Sequence, residues 1–101
     1  MYTIQQLHND DPDSIVEQLV ALALYADDPE FIQHTMIQYS QHTDNNVKGI
    51  AILCFGHLAR RFGTIDKEVV LPIVHAGLQD KSDIVRGHAD SALDDITMFV
   101  R

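Results

Sequence analysis

The chain has 101 residues, of which 46% are hydrophobic and 22% charged, a composition typical of one folded domain and not of a disordered segment. Fifteen acidic and seven basic residues give a net charge of −8, which argues against nucleic acid as a partner, because nucleic-acid binders neutralise phosphates with clustered Lys and Arg. The single cysteine excludes an internal disulfide, and the longest apolar stretch, residues 50–55, is too short to span a membrane.

The first ten residues have neither the basic region nor the apolar run of a signal peptide. We therefore expect a cytoplasmic protein with a single domain over residues 1–101, in which residues 1–10 are the least ordered part.

Two helices are predicted in the first half of the chain by aspartate–proline start signals. Asp11-Pro12 supplies an N-cap followed by proline at the first helical position, with Ser14 and Glu17 as an alternative capping box one turn later. Asp28-Pro29 repeats the device and opens a second helix that we expect to run through about His42.

Three more helices follow, again separated by short connections. Asp44 caps the third helix and Gly63 ends it, Asp66 opens the fourth, and Ser82 opens the fifth. No stretch alternates with period two over a length typical of a strand. Because the connections are short, successive helices are expected to pack antiparallel.

One helix pattern occurs three times along the chain. Placing Val85 over Val47, an offset of 38 residues, matches the fifth helix to the third. Placing Val16 over Val47, an offset of 31 residues, matches the first helix to the third. The second and fourth helices separate these three copies.

Residues 69–96, VVLPIVHAGLQDKSDIVRGHADSALDDI, resemble a HEAT repeat. The matching features are an apolar first helix with a proline, an aspartate in the turn, a Val-Arg pair, a small residue and an apolar close, which fall on Pro72, Asp80, Val85-Arg86, Ala89 and Leu93. Residues 31–62 fit more loosely, and the first helix departs from the pattern and is a full repeat or a cap. The resemblance implies an all-α fold of about two and a half HEAT-like antiparallel hairpins, stacked in a short right-handed α-solenoid.

The sequence contains no catalytic motif that we can identify. It has no Gly-rich phosphate loop, no His-Glu-x-x-His pair and no Cys-x-x-Cys pair, so we expect no enzyme, no cofactor and no metal. Cys54 lies on the apolar stripe of the third helix and is interpreted as a buried small hydrophobe. The six histidines lie on different segments and never pair at i, i+4. The aspartates of the fifth helix, with Arg86 near Asp83 and Asp90, form either a solvated face with local ion pairs or a docking surface for a basic partner.

A partner-binding face follows from the HEAT resemblance, which implies that the first, third and fifth helices line the inner surface. On the third helix, the positions opposite the core stripe are Gly49, Leu53, Gly56 and Arg60, and the two offsets carry them to the other copies. Close packing of helices or the close approach of a ligand would explain the glycines. Leu53 and its equivalent on the first helix, Leu22, either bind a partner or pack between neighbouring helices. The candidate partner-binding residues are Gln18, Leu22, Tyr25, Leu53, Arg60, Arg86, Asp90, Ser91 and Asp94.

In size, acidity and lack of catalytic groups, the chain is similar to bacterial immunity proteins of toxin systems, including contact-dependent growth inhibition. These proteins bind and neutralise a cognate toxin, often a basic nuclease. The alternatives are an adaptor or scaffold for protein assembly, and a HEAT-like enzyme acting on nucleic acid, against which the short length and the charge of −8 argue. The pattern encodes neither the partner's identity nor the oligomeric state.

Overall fold

The structure is a computed structural model that describes residues 11–101, and it is all-α over that range. Its five helices are α1 (Pro12–Tyr25), α2 (Pro29–Tyr39), α3 (Asn45–Phe62), α4 (Lys67–Leu78) and α5 (Asp83–Phe99). No strand occurs between residues 11 and 101. The predicted helical class and the five predicted helices are therefore confirmed, whereas the expectation for residues 1–10 lies outside the described residues.

Most helix starts follow the predicted capping chemistry. Asp11, Asp28, Asp44 and Ser82 each accept a hydrogen bond from a backbone N–H of the first turn, which pairs a donor that has no partner inside the helix. Asp66 occupies the N-cap position of α4 without such a bond. The start of α1 at Pro12 places the alternative capping box inside the helix.

The helix ends differ from the prediction at one place. α2 ends at Tyr39 rather than His42, where the hydroxyl of Ser40 donates to the carbonyl of Ile37 at 2.6 Å. The His42 ring then accepts the backbone N–H of Asp44 at Nδ1, 3.0 Å away, and so belongs to the connection before α3. Gly63 ends α3 as predicted, with φ of 68° in the left-handed region.

α3 is the central helix of the fold, with its most extensive packing against α5, and it also contacts α1, α2 and α4. Later residues of α3 contact later residues of α1: Cys54 lies against the carbonyl of Leu19, and Arg61 donates to the carbonyl of Ala23. The same order holds between α3 and α5, where Gly49 faces His88 and Gly56 faces Ala92. α1, α3 and α5 therefore lie side by side in one row and run in the same direction.

α2 packs against α3, and α4 packs against α5, with Gly77 of α4 facing Ala89 of α5. The described part of the molecule measures 33 × 32 × 18 Å. A thickness of 18 Å corresponds to two helix layers, since packed helix axes are about 8–10 Å apart. The row of α1, α3 and α5 is one layer, and α2 and α4 form a second layer that covers one side of it.

The buried residues of the helices test the two predicted offsets. They confirm the offset between α3 and α5 and correct the offset between α1 and α3. With the predicted offset of 38, every buried residue of α5 falls on a buried residue of α3, beginning with Val85 on Val47. On α1, however, Ile15 is buried, whereas Val16 is half-buried. An offset of 32 residues, which places Ile15 on Val47 and Leu22 on Cys54, aligns the buried positions, so the predicted offset of 31 was wrong by one residue.

Candidate functional site

The row of three parallel helices leaves one face uncovered. On α3 this face is a stripe at helical spacing, made of Ile50, Leu53, His57 and Arg60, all half-buried or exposed. The corrected offsets place Gln18, Ala21 and Tyr25 of α1, and His88, Ser91, Asp95 and Met98 of α5, on the same face. We call this surface the row face. Its most exposed large side chains are Tyr25 at 73% and Met98 at 75%.

The structure separates the residues predicted on α1. Gln18 and Tyr25 lie on the row face, and Gln18 is half-buried. Leu22 is fully buried in the core, so its prediction as a surface residue was wrong. The reason is the register: Leu22 is equivalent to the buried Cys54 and not to Leu53, and its side chain packs among the core residues.

On α3, the predicted residues Leu53 and Arg60 lie on the row face, but the two glycines of the predicted strip do not. A Cβ on Gly49 would lie 2.7 Å from Cδ2 of His88, and one on Gly56 would lie 3.2 Å from Cα of Ala92. Both glycines therefore allow close packing of α5, which confirms one of the two predicted explanations. The exposed stripe is rotated toward Ile50 and His57, three residues before and four residues after Leu53, which the sequence analysis did not place on this face.

A polar cluster joins α3 to α5 at one end of the row face. Arg60 lies at 2.5 Å from the His57 ring, Nη2 to Nδ1, and its Nε lies 3.6 Å from Oδ2 of Asp95. Burial lowers the pKa of His57, and the positive charge of Arg60 lowers it further, while Asp95 acts in the opposite direction. The neutral ring of His57 can thus accept a hydrogen bond from the guanidinium near pH 7.

The residues predicted on α5 divide between two surfaces. Ser91 lies on the row face. Asp90 and Asp94 lie on the free side of α5, together with Gly87, and all three are exposed. We call Gly87, Asp90 and Asp94 the outer edge of α5. By the offset of 38 they are equivalent to Gly49, Ile52 and Gly56, which on α3 are buried.

Arg86 does not form the local ion pair that the sequence predicted with Asp90. It is half-buried, pairs with Asp83 and donates to the backbone carbonyl of Asp80 at 2.6 Å. Asp90 and Asp94 consequently form no ion pair with any residue between 11 and 101. Their carboxylates are free to meet charges from outside the chain.

The remaining candidate groups are the thiol of Cys54 and the side chains that could bind a metal ion. Cys54 is buried, and burial raises the pKa of its thiol to about 12. Within residues 11–101 no three His, Cys, Asp or Glu side chains come together in a way that could hold a metal ion. None of the five helices is both long and apolar enough to cross a membrane.

No family model matches the chain, and no curated protein sequence matches it. Among solved structures, the fold is similar to that of a chain in the crystal structure of a CDI complex from Cupriavidus taiwanensis, with a TM-score of 0.82 and 26% sequence identity. The similarity covers 95% of this chain and 85% of that chain. This protein therefore shares an all-α fold with a component of a CDI complex.

Proposed function

We propose that this chain is an immunity protein that neutralises a cognate toxin of a CDI system, that is, of contact-dependent growth inhibition, by binding it directly. The observation that carries the proposal is the similarity to a chain of a CDI complex, which extends over nearly the whole of both chains. A CDI complex joins a toxin and its immunity protein. The acidic charge of −8 and the lack of a catalytic motif favour the immunity partner, so we propose a binding protein and not an enzyme.

The fold proposed for this role is a short right-handed α-solenoid of HEAT type, with about two and a half hairpins. Two observations support it. The row helices α1, α3 and α5 run in one direction, with α2 and α4 as their partners in a second layer. The buried positions of α5 also all recur on α3 at a constant offset of 38 residues, as expected for stacked copies of one unit.

The partner that fits this chain best is a basic toxin domain, met in the cytoplasm. Four of the chain's seven basic residues already contact its own carboxylates: Lys48 with Asp80, Arg60 with Asp95, Arg61 with Asp27, and Arg86 with Asp83. The acidic residues between 11 and 101 all lie at the surface, exposed or half-buried, where their charge accelerates the encounter with a cationic protein and disfavours nucleic acid as a competing ligand.

The row face is the surface that we assign to toxin binding. Tyr25 and Met98 are its most exposed large side chains, and Leu53 and Arg60 lie between them. Aromatic residues, methionine and arginine are enriched at the cores of protein interfaces, where each of these large side chains can bury an extensive area. Gln18 and Ser91 add neutral hydrogen-bonding groups to the same surface.

Growth rescue tests the proposed function. The probe is the C-terminal domain of the toxin encoded by the reading frame adjacent to this chain's gene, expressed from an inducible promoter in a bacterial host. Coexpression of this chain should restore growth, and the two purified proteins should form one complex of fixed stoichiometry. The matching chain from Cupriavidus taiwanensis is the control, and it should not protect, because immunity is specific to the cognate toxin.

Three outcomes would contradict the proposal. The adjacent frame encodes no toxin, the toxin arrests growth equally with and without this chain, or the purified chain binds several unrelated proteins with similar affinity. The last outcome would favour an adaptor or scaffold.

A further inference from the structure

Gly87 lies in the interior of α5 without a packing partner among residues 11–101. A Cβ placed on it would meet none of those residues within 4 Å, in contrast to Gly49, Gly56 and Gly77, where a Cβ would approach a neighbour to 2.9 Å or less. Glycine is the least favourable residue after proline inside a helix, because it gives up more backbone freedom than any other residue on folding. The fold of this chain alone therefore gives no reason for glycine at position 87.

The equivalent residue on α3 shows what a glycine at this position can do. Gly49 lies under the ring of His88, so the absence of a side chain there allows α5 to pack closely on α3. Gly87 follows Gly49 by the same 38 residues that relate the rest of the two helices. α5 thus presents, on its free side, the same backbone approach site that α3 uses to receive a neighbouring helix.

The side chains around Gly87 differ from those around Gly49 in charge. Where α3 has Ile52 and Gly56, the outer edge of α5 has Asp90 and Asp94. These carboxylates are four residues apart, so they project from the same side of the helix about one turn from each other. Neither forms an ion pair with another described residue, as the Arg86 side chain is directed toward Asp83 and Asp80.

We propose that a helix of the toxin docks along the outer edge of α5, with a side chain over Gly87 and with Lys or Arg side chains on Asp90 and Asp94. The proposal rests on the proposed function and specifies its interface. The occupant is cationic because the two unpaired carboxylates would repel an acidic or a second identical edge, and it is helical because Gly49 accepts a helix at the equivalent position. The toxin helix then continues the row beyond α5 and meets the row face at Ser91.

The test measures binding of a catalytically inactive form of the same toxin domain to variants of the full chain. Gly87→Ala should raise the Tm of the free chain by about 4 °C while weakening toxin binding about tenfold, since the new Cβ separates the two helices. Asp94→Lys should weaken binding about tenfold or more through like-charge repulsion. Glu30→Lys, on the distant α2, makes the same change in net charge and should alter the affinity by less than about twofold.

The possible failures are distinguishable. If the wild-type chain neither binds nor neutralises the toxin, the proposed function is wrong and the docking proposal is wrong with it. If the wild-type chain protects but Gly87→Ala and Asp94→Lys bind as tightly as wild type, the outer edge is only the solvated end of the stack, and the docking proposal alone is overturned. A Gly87-dependent dimer of the free chain would likewise overturn it, in favour of a second copy as the occupant.

Discussion

Lys48 of α3 and Asp80 of the connection before α5 form an ion pair, with Nζ 2.5 Å from Oδ2. The other carboxylate oxygen of Asp80 accepts the backbone N–H of Ser82 at 2.9 Å, and its carbonyl accepts from Arg86. Lys48 and Arg86 occupy equivalent positions in α3 and α5, and both contact Asp80. Asp80 thus binds the basic residue at the same position in two successive copies of the unit, and these contacts stabilise the turn before α5.

Replacing Asp80 by asparagine should lower the free energy of unfolding by about 1 kcal/mol near pH 7. The hydrogen bond from Lys48 lowers the pKa of Asp80, and the bond from the Ser82 N–H lowers it further. A carboxyl with a lowered folded-state pKa stabilises the fold above its unfolded value of about 3.9, and this contribution is lost as the pH falls through the folded value. Urea unfolding of wild type and Asp80→Asn should therefore differ near pH 7 and converge in acid. Asp90→Asn, which removes a carboxylate that forms no ion pair among residues 11–101, is the control and should change the free energy of unfolding near pH 7 by less than about 0.5 kcal/mol.

Gly56→Ala should destabilise the protein by about 1–3 kcal/mol in spite of the better helix propensity of alanine. A Cβ at this position would lie 2.9 Å from Oδ2 of Asp95 and 3.2 Å from Cα of Ala92, and the second of these contacts is with backbone that cannot rotate away. Gly87→Ala, at an open position of the neighbouring helix, is the matched control and should be stabilising. Midpoints of urea unfolding for the two variants should shift in opposite directions, and an upward shift for both would show that α5 does not pack closely on Gly56.

The thiol of Cys54 should be unreactive in the native protein. It is buried, and burial raises its pKa to about 12, so the thiolate is scarce at pH 8. We expect modification by a disulfide reagent at pH 8 to proceed at the rate of global unfolding and to become rapid in concentrated urea. Fast modification without denaturant would place Cys54 at the surface and contradict the packing of α3 against α1.

Acid should weaken the fold partly through His88. Burial over Gly49 lowers the pKa of His88 below its ordinary value of 6.5. Between that folded value and 6.5 the unfolded chain binds more protons than the folded one, so stability rises with pH across this interval and falls on acidification. His88→Gln should flatten the dependence of unfolding free energy on pH below about 6.5. An unchanged slope would mean that His88 titrates normally.

The helix starts could be predicted from the sequence because capping is a local interaction. Asp11, Asp28 and Asp44 each bond to backbone groups within the next three residues, so the residues that decide the boundary are adjacent in the chain. The register of α5 on α3 was also readable, because the buried residues of α5 fall on one narrow stripe that aligns with buried residues of α3 at the offset of 38.

The register of α1 could not be read in the same way. Its apolar residues occur in adjacent pairs, beginning with Ile15-Val16 and Leu19-Val20, so offsets of 31 and 32 give nearly the same pattern. Only packing against α3 decides which member of each pair is buried. The partner of Arg86 was equally undetermined, since Asp83, Asp90 and the carbonyl of Asp80 are all within reach of a long flexible side chain.

Substitutions at Leu22 and Tyr25 should separate effects on folding stability from effects on toxin binding, because the two residues lie one turn apart on α1 but differ in exposure. Leu22 is fully buried, whereas Tyr25 is 73% exposed on the row face. Leu22→Ala should lower the free energy of unfolding by about 2–5 kcal/mol, through lost burial and the cavity left behind.

Tyr25→Ala should change the free energy of unfolding by less than about 0.5 kcal/mol, yet weaken toxin binding about tenfold or more, since an exposed aromatic side chain contributes chiefly when a partner buries it. Urea unfolding and titration with the inactive toxin domain measure the two effects separately. Loss of stability without loss of affinity in Tyr25→Ala would contradict the assignment of the row face to binding, because Tyr25 would then act within the fold and not at its surface.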